Sequence, residues 1–145
     1  QQFHNIDITN PLKIPATASE MNLYPCAYSM TFNVSGDTLN GILNQRSQDM
    51  LTANNWNVVQ YAVLLHMMAQ VSGLVAGELV HVIADCHIYD RHIPLVEKML
   101  AFDPYPAPEF YIDPKITDFY DFQASDFQLK NYRYHTLGAP IPVAI

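Results

Sequence analysis

The sequence predicts an α/β fold of the α+β kind, in which strands pack on one long buried helix. Three observations carry that prediction. AYSMTFNV at 27–34 and LNGILNQR at 39–46 have β-type composition and flank a Ser-Gly-Asp turn. NVVQYAVLLHMMAQVSG at 57–73 is apolar nearly all round except Gln60, His66 and Gln70. LVHVIADCHIY at 79–89 is a mostly apolar, β-branched run.

Each element follows from local chemistry. Residues 1–25 hold Pro11, Pro15 and Pro25 with little periodicity, so they read as a loop-rich lead-in. The first strand turns at Ser35-Gly36-Asp37, and the hairpin ends at Arg46. Asn57 is a suitable N-cap for the long helix and Gly73 a suitable stop. In a strand over 79–89, Asp85, His87 and Tyr89 project from one face and Cys86 from the other. Asp90 is placed to cap a short helix over RHIPLVEKML, which ends before the Pro-rich stretch Asp103–Pro108. EFYID, FYDF and DFQL read as short strands and turns that return to the sheet.

Composition narrows the function classes. The chain has 145 residues, 50% hydrophobic and 14% charged, which suits a single domain with a packed core. Its formal charge is −7 and its seven basic residues are scattered, so no basic stripe exists for a nucleic-acid backbone. One arginine in a pocket still suffices to hold a small phosphate through bidentate hydrogen bonds. Cys26 and Cys86 have neither zinc-site spacing nor the number for a disulfide framework, which fits a reducing cytoplasm and no metal. No run approaches the roughly twenty apolar residues of a membrane span, and the opening QQFHNIDITN has no signal-peptide pattern. The absence of an initiator Met suggests processing or a cut from something longer.

Taken singly, the chemically interesting residues have structural explanations. A lone cysteine is usually a buried thiol, and a histidine on an apolar run is usually a hydrogen-bonded core group. Arg46, Ser47 and Asp49 alone would be a solvated turn, Asn57 a helix cap, and Met67-Met68 core filling.

Their combination is more specific. Pro25-Cys26, QRSQD at 45–49, Trp56-Asn57 before VVQYA, DCHIYDRH at 85–92 and a chain ending in PVAI occur together and in order. From about Met21 to Ile145 the sequence resembles the C-terminal catalytic portion of thymidylate synthases, with residues 1–20 a lead-in of no clear match. The resemblance implies the family's mixed sheet packed on the long helix, and reductive methylation of dUMP to dTMP. It makes Cys26 the nucleophile that adds to C6 of the uracil ring. Arg46 and Ser47 would take the phosphate, with Arg46 also lowering the thiol pKa. Asn57 would read the O4 and N3 edge of uracil, and His87 with Tyr89 the deoxyribose 3′-hydroxyl. Asp49 would contact the folate ring, and the Ala144-Ile145 tail would close over 5,10-methylenetetrahydrofolate, the co-substrate. A homodimer formed sheet to sheet is implied, without metal, membrane or general nucleic-acid partners.

The pattern also departs from the family. Ile6 and Asp7 stand where a cross-subunit arginine pair is usual, MLTANNWN replaces a glycine-containing loop, and Ala27 follows the nucleophile where His is frequent. The N-terminal half of such enzymes, with a catalytic Glu, has no counterpart here. Two alternatives follow: a pyrimidine nucleotide hydroxymethylase, against which Asn57 argues because the cytidylate relatives carry Asp there, and a truncated inactive relative acting as a nucleotide-binding or interaction protein.

Overall fold

The computed structural model describes residues 25–138 and 140–142. The lead-in at 1–20, Ile6, Asp7 and the terminal Ala144 lie outside the described residues.

Strands β1 (Ala27–Ser35) and β2 (Thr38–Gln45) form the expected hairpin. Its two-residue loop opens on Gly36 at φ 65°, a conformation that costs a side-chain-bearing residue dearly. Strand β4 (Val75–Ile83) adds to β2 in parallel, giving the order β1-β2-β4. A parallel neighbour needs a crossover, and helix α1 (Asn54–Val71) supplies it. Between β2 and α1 lies β3 (Gln48–Asp49), which pairs in parallel with β5 (Cys86–His87). The mixed sheet on a long helix is therefore observed.

Alternation sets which sheet face meets the helix. Leu39, Gly41, Leu43 and Gln45 of β2 are all buried on one side. Leu39, Leu65 and Ala69 form the core, joined by Met30, Phe32, Met68, Leu74, Ala76 and Leu79. Gly73 stops α1 as expected. At φ 68° it donates to the Gln70 carbonyl at 3.1 Å, and Leu74 donates to Ala69 at 2.9 Å, the paired bonds of a Schellman motif.

Several expectations need correction. The helix begins at Asn54, so Asn57 lies inside it rather than capping it; Asp49 meets the entering chain instead, accepting from the Leu51 and Thr52 amides at 2.9 and 3.2 Å. Among described residues of α1 only Leu65 and Ala69 are buried, so the helix is not enclosed on most faces, and Trp56 is 77% exposed. The single strand at 79–89 is two. Strand β4 ends at Ile83 because its partner β2 ends at Gln45, and the chain re-pairs with β3 only at Cys86. Asp90 makes no cap: a 3-10 turn at Asp90–His92 leads into α2 (Ile93–Leu100), whose second residue, Pro94, is tolerated because that position needs no intrahelical donor. FYDF forms a 3-10 turn over Phe119–Asp121.

Finally, β6 (Glu109–Ile112) and β7 (Phe127–Lys130) pair with each other in a separate antiparallel ribbon instead of returning to the sheet. Phe110, Phe122 and Phe127 pack there ring on ring, and Gln70 of α1 pins the following loop by donating to the Asp113 and Ile116 carbonyls at 2.9 and 2.8 Å. No helix among the described residues is long and apolar enough to cross a membrane.

Candidate functional site

Parallel strands joined by a helix leave a crevice at the strands' carboxyl ends, where α/β sheets habitually bind ligands. Here the ends of β2 and β4 meet the first turn of α1, and the candidate residues gather around that junction.

Arg46 secures the cysteine. Its backbone N–H donates to the Cys26 carbonyl at 2.8 Å, and its side-chain Nε donates to the Pro25 carbonyl at 3.2 Å. The register of the hairpin shifts between Ala27 and Ser29, so Cys26 sits just beyond an irregular strand start. Its thiol is free and half-buried. Cys86 is also free but exposed.

One step along β2, Gln45 is 1% exposed and acts as a polar hub. Its amide nitrogen donates to the Ser47 carbonyl at 2.8 Å, to the side-chain oxygen of buried Gln48, and to Asn57 Oδ1 at 3.2 Å. Its amide oxygen lies 3.0 Å from His81 Nε2. The hub thus ties the end of β2 to the first turn of α1 and to β4. Burial pushes the His81 pKa below its ordinary value, so its ring is neutral at pH 7.

A second chain of contacts runs along the loop after β4. Ser47 Oγ donates to Asp85 at 3.5 Å, and Asp85 Oδ2 lies 3.3 Å from His87 Nδ1, within ion-pair reach but without hydrogen-bond alignment. Tyr89 meets the His87 ring edge-on at 5.1 Å and the His92 ring at 5.7 Å. Asp85, His87 and Tyr89 are therefore together as expected, although a bend and not a continuous strand assembles them. His92, 1% exposed, holds the Pro142 carbonyl through Nε2 at 2.7 Å and leaves Nδ1 unpartnered.

Both oxygens of Asp49 face inward to its own turn, taking the Leu51 and Thr52 amides and the Thr52 hydroxyl. Burial works against ionisation, but the Thr52 and Leu51 hydrogen bonds and the nearby His92 outweigh it and hold the carboxyl below its usual range. Among the described residues no group of three or more His, Cys, Asp or Glu is arranged to hold a metal ion. An open cleft of about 500 Å³ beside His66, Gln70 and Phe110 sits toward the other end of α1 and includes none of the residues around Cys26.

Chemically, this end of the sheet carries Cys26 with its backbone tied to Arg46, an Asn57 amide held by Gln45, and a His87–Tyr89 pair on the loop after β4. The family model described as thymidylate synthase matches residues 7–144. The chain belongs to the thymidylate synthase family. It is 41% identical over 120 residues to thymidylate synthase 1 of Bacillus spizizenii, covering 83% of this chain and 43% of that protein. A thymidylate synthase of Clostridium beijerinckii is 42% identical over 115 residues, covering 78% of this chain and 44% of its own length. The structure of thermostable thymidylate synthase A from Bacillus subtilis superposes with a TM-score of 0.79 at 38% identity, covering 92% of this chain and 47% of that one. The chain spans about half the length of the thymidylate synthases it matches.

Against that family background, sequence reasoning does not single out Gln45, Gln48, His81 or His92. Gln45 opens the QRS motif, which is the available signal for it. Neither Gln48 nor His81 shows its contacts until β2, β3 and β4 are paired.

Proposed function

We propose that this chain provides the nucleotide-binding, nucleophile-bearing part of a thymidylate synthase that converts dUMP to dTMP. The reading rests most on the Arg46 clasp, two hydrogen bonds that tie this arginine to the backbone carbonyls of Pro25 and Cys26.

In this reading the Cys26 thiolate adds to C6 of the uracil ring, the C5–C6 π pair moving toward C5 and O4. Arg46 binds the nucleotide phosphate with Ser47. Asn57 hydrogen-bonds O4 and N3, stabilising charge that develops on O4. His87 and Tyr89 take the 3′-hydroxyl. The co-substrate 5,10-methylenetetrahydrofolate supplies the one-carbon unit and the hydride that reduces it, leaving as dihydrofolate, while C5 gives up its proton and the C6–S bond breaks to release Cys26. Asp49 would contact the folate by sharing carboxylate oxygens that its own turn also uses for Leu51 and Thr52, and Ala144 lies in the tail that would exclude water. Asn57 favours uracil over cytosine and hence methylation over the hydroxymethylase chemistry of cytidylate relatives.

We further propose a cytoplasmic homodimer with no metal and no general nucleic-acid binding. Ile42, Val80 and Val82 are exposed on the sheet face away from α1, which supports a sheet-to-sheet contact.

Intact mass spectrometry after incubation with 5-fluoro-dUMP and methylenetetrahydrofolate tests the reading. A covalent adduct carrying both ligands, absent in Cys26→Ala, is expected. A folded protein that forms no adduct overturns it in favour of an inactive relative.

A further inference from the structure

We propose that His81, which lies outside the nucleotide contacts, is a positioning residue that sets the amide orientation of Asn57 through Gln45 and thereby enforces selection of uracil over cytosine. The inference rests on the reading of Asn57 as the base-recognising residue.

The donor and acceptor pattern of the hub carries the argument. A backbone carbonyl only accepts, so the Gln45 amide atom 2.8 Å from the Ser47 carbonyl must be the nitrogen. Gln48 is fixed the same way, its nitrogen donating to the Asp49 carbonyl at 3.3 Å and its oxygen turned to Gln45. Gln45 Oε1 therefore faces His81 Nε2 at 3.0 Å, and only an Nε2–H tautomer satisfies it. With Gln45 locked at both ends, its nitrogen meets Asn57 at 3.2 Å, and Asn57 must answer with its oxygen.

The consequence falls on the ligand. Asn57 Oδ1 keeps one lone pair for a donor, and its Nδ2 offers hydrogens to an acceptor. Uracil presents that complement, a donor at N3 and an acceptor at O4. Cytosine presents the reverse, an acceptor at N3 and an amine at C4. Binding cytosine would require Asn57 to flip, which sets its NH₂ against the NH₂ of Gln45. Gln45 can yield only by flipping too, and that turns its oxygen on the Ser47 carbonyl and its nitrogen on the His81 N–H. Removing the His81 donor frees one of the two locks.

The test compares Kd for dUMP and dCMP across wild type, His81→Phe and His81→Gln, the last placing an amide nitrogen near the position of Nε2. His81→Phe is expected to lower the dUMP preference roughly 10-fold, the value of one part-buried hydrogen bond, and His81→Gln to restore most of it. A folded His81→Phe protein with wild-type preference overturns the inference, as does a folded His81→Gln protein that recovers none. Nitrogen-15 NMR of the wild-type histidines decides independently of how the variants fold: an Nε2–H tautomer at His81 supports the lock, and an Nδ1–H tautomer removes it. Wild-type protein that binds neither nucleotide, or both alike, refutes the uridylate reading itself; a selective wild type with an unchanged His81→Phe variant refutes only the role of His81.

Discussion

Replacing Gln45 by Glu keeps size and shape and changes only what the amide nitrogen offers. That nitrogen faces the Ser47 carbonyl, the Gln48 side-chain oxygen and Asn57 Oδ1, all acceptors, at a site 1% exposed. A carboxylate there loses two N–H donors and sets a buried charge against three oxygens, relieved only by the His81 N–H. Two lost bonds and an uncompensated buried charge together amount to about 3–5 kcal/mol of stability. Burial and the facing oxygens raise the folded-state pKa of the introduced carboxyl above the unfolded value of about 4.3, since a protonated carboxyl regains one O–H donor. The sign follows: the folded form then binds the proton more tightly, so the penalty is smallest below the unfolded pKa and grows as pH rises through the folded one. Urea denaturation of Gln45→Glu and wild type at pH 5 and pH 8 measures it, with the larger difference expected at pH 8. A variant within about 0.5 kcal/mol of wild type at pH 8, the scatter of ordinary surface changes, would refute the hub.

Other substitutions read separate parts of the fold. Gly73→Ala forces a side chain into the positive-φ stop of α1 and is expected to cost about 1–2 kcal/mol by chemical denaturation, a neutral result contradicting the Schellman geometry. Leu43→Ala empties a fully buried position on β2 and should cost about 2–5 kcal/mol, measured the same way; a loss under about 1 kcal/mol would place Leu43 outside a packed core. Burial lowers the pKa values of His66 and His81, and at Asp49 the hydrogen bonds outweigh burial and lower the pKa too, so the unfolded chain takes up protons first on acidification. Stability contributed by the histidines is present above 6.5 and lost as pH falls through their lower folded values. That of Asp49 is present above 3.8 and is lost below it. A denaturation midpoint that stays constant from pH 7 to pH 5 would count against the histidine component, and Thr52→Ala should raise the Asp49 pKa observed by NMR.

What the sequence made legible, and what it hid, divides by how each residue is held. Cys26, Arg46 and Asn57 sit in short motifs, so residue type and neighbours are enough to single them out as candidates. The hairpin and the stop at Gly73 are legible for the same local reason. The boundary between β4 and β5 is not, because nothing at Ala84 or Asp85 breaks a strand; the break occurs where β2 ends at Gln45 and the ladder loses its partner. Gln45 reads only as the strand residue before Arg46 until pairing buries it, and His81 meets it from 36 positions away. The candidate residues carried by motifs are thus open to sequence reasoning, whereas the groups that hold them depend on strand pairing. A substitution chosen from the motifs alone would test Asn57 and leave untouched the buried Gln45 amide and the His81 imidazole behind it, which decide which way Asn57 points.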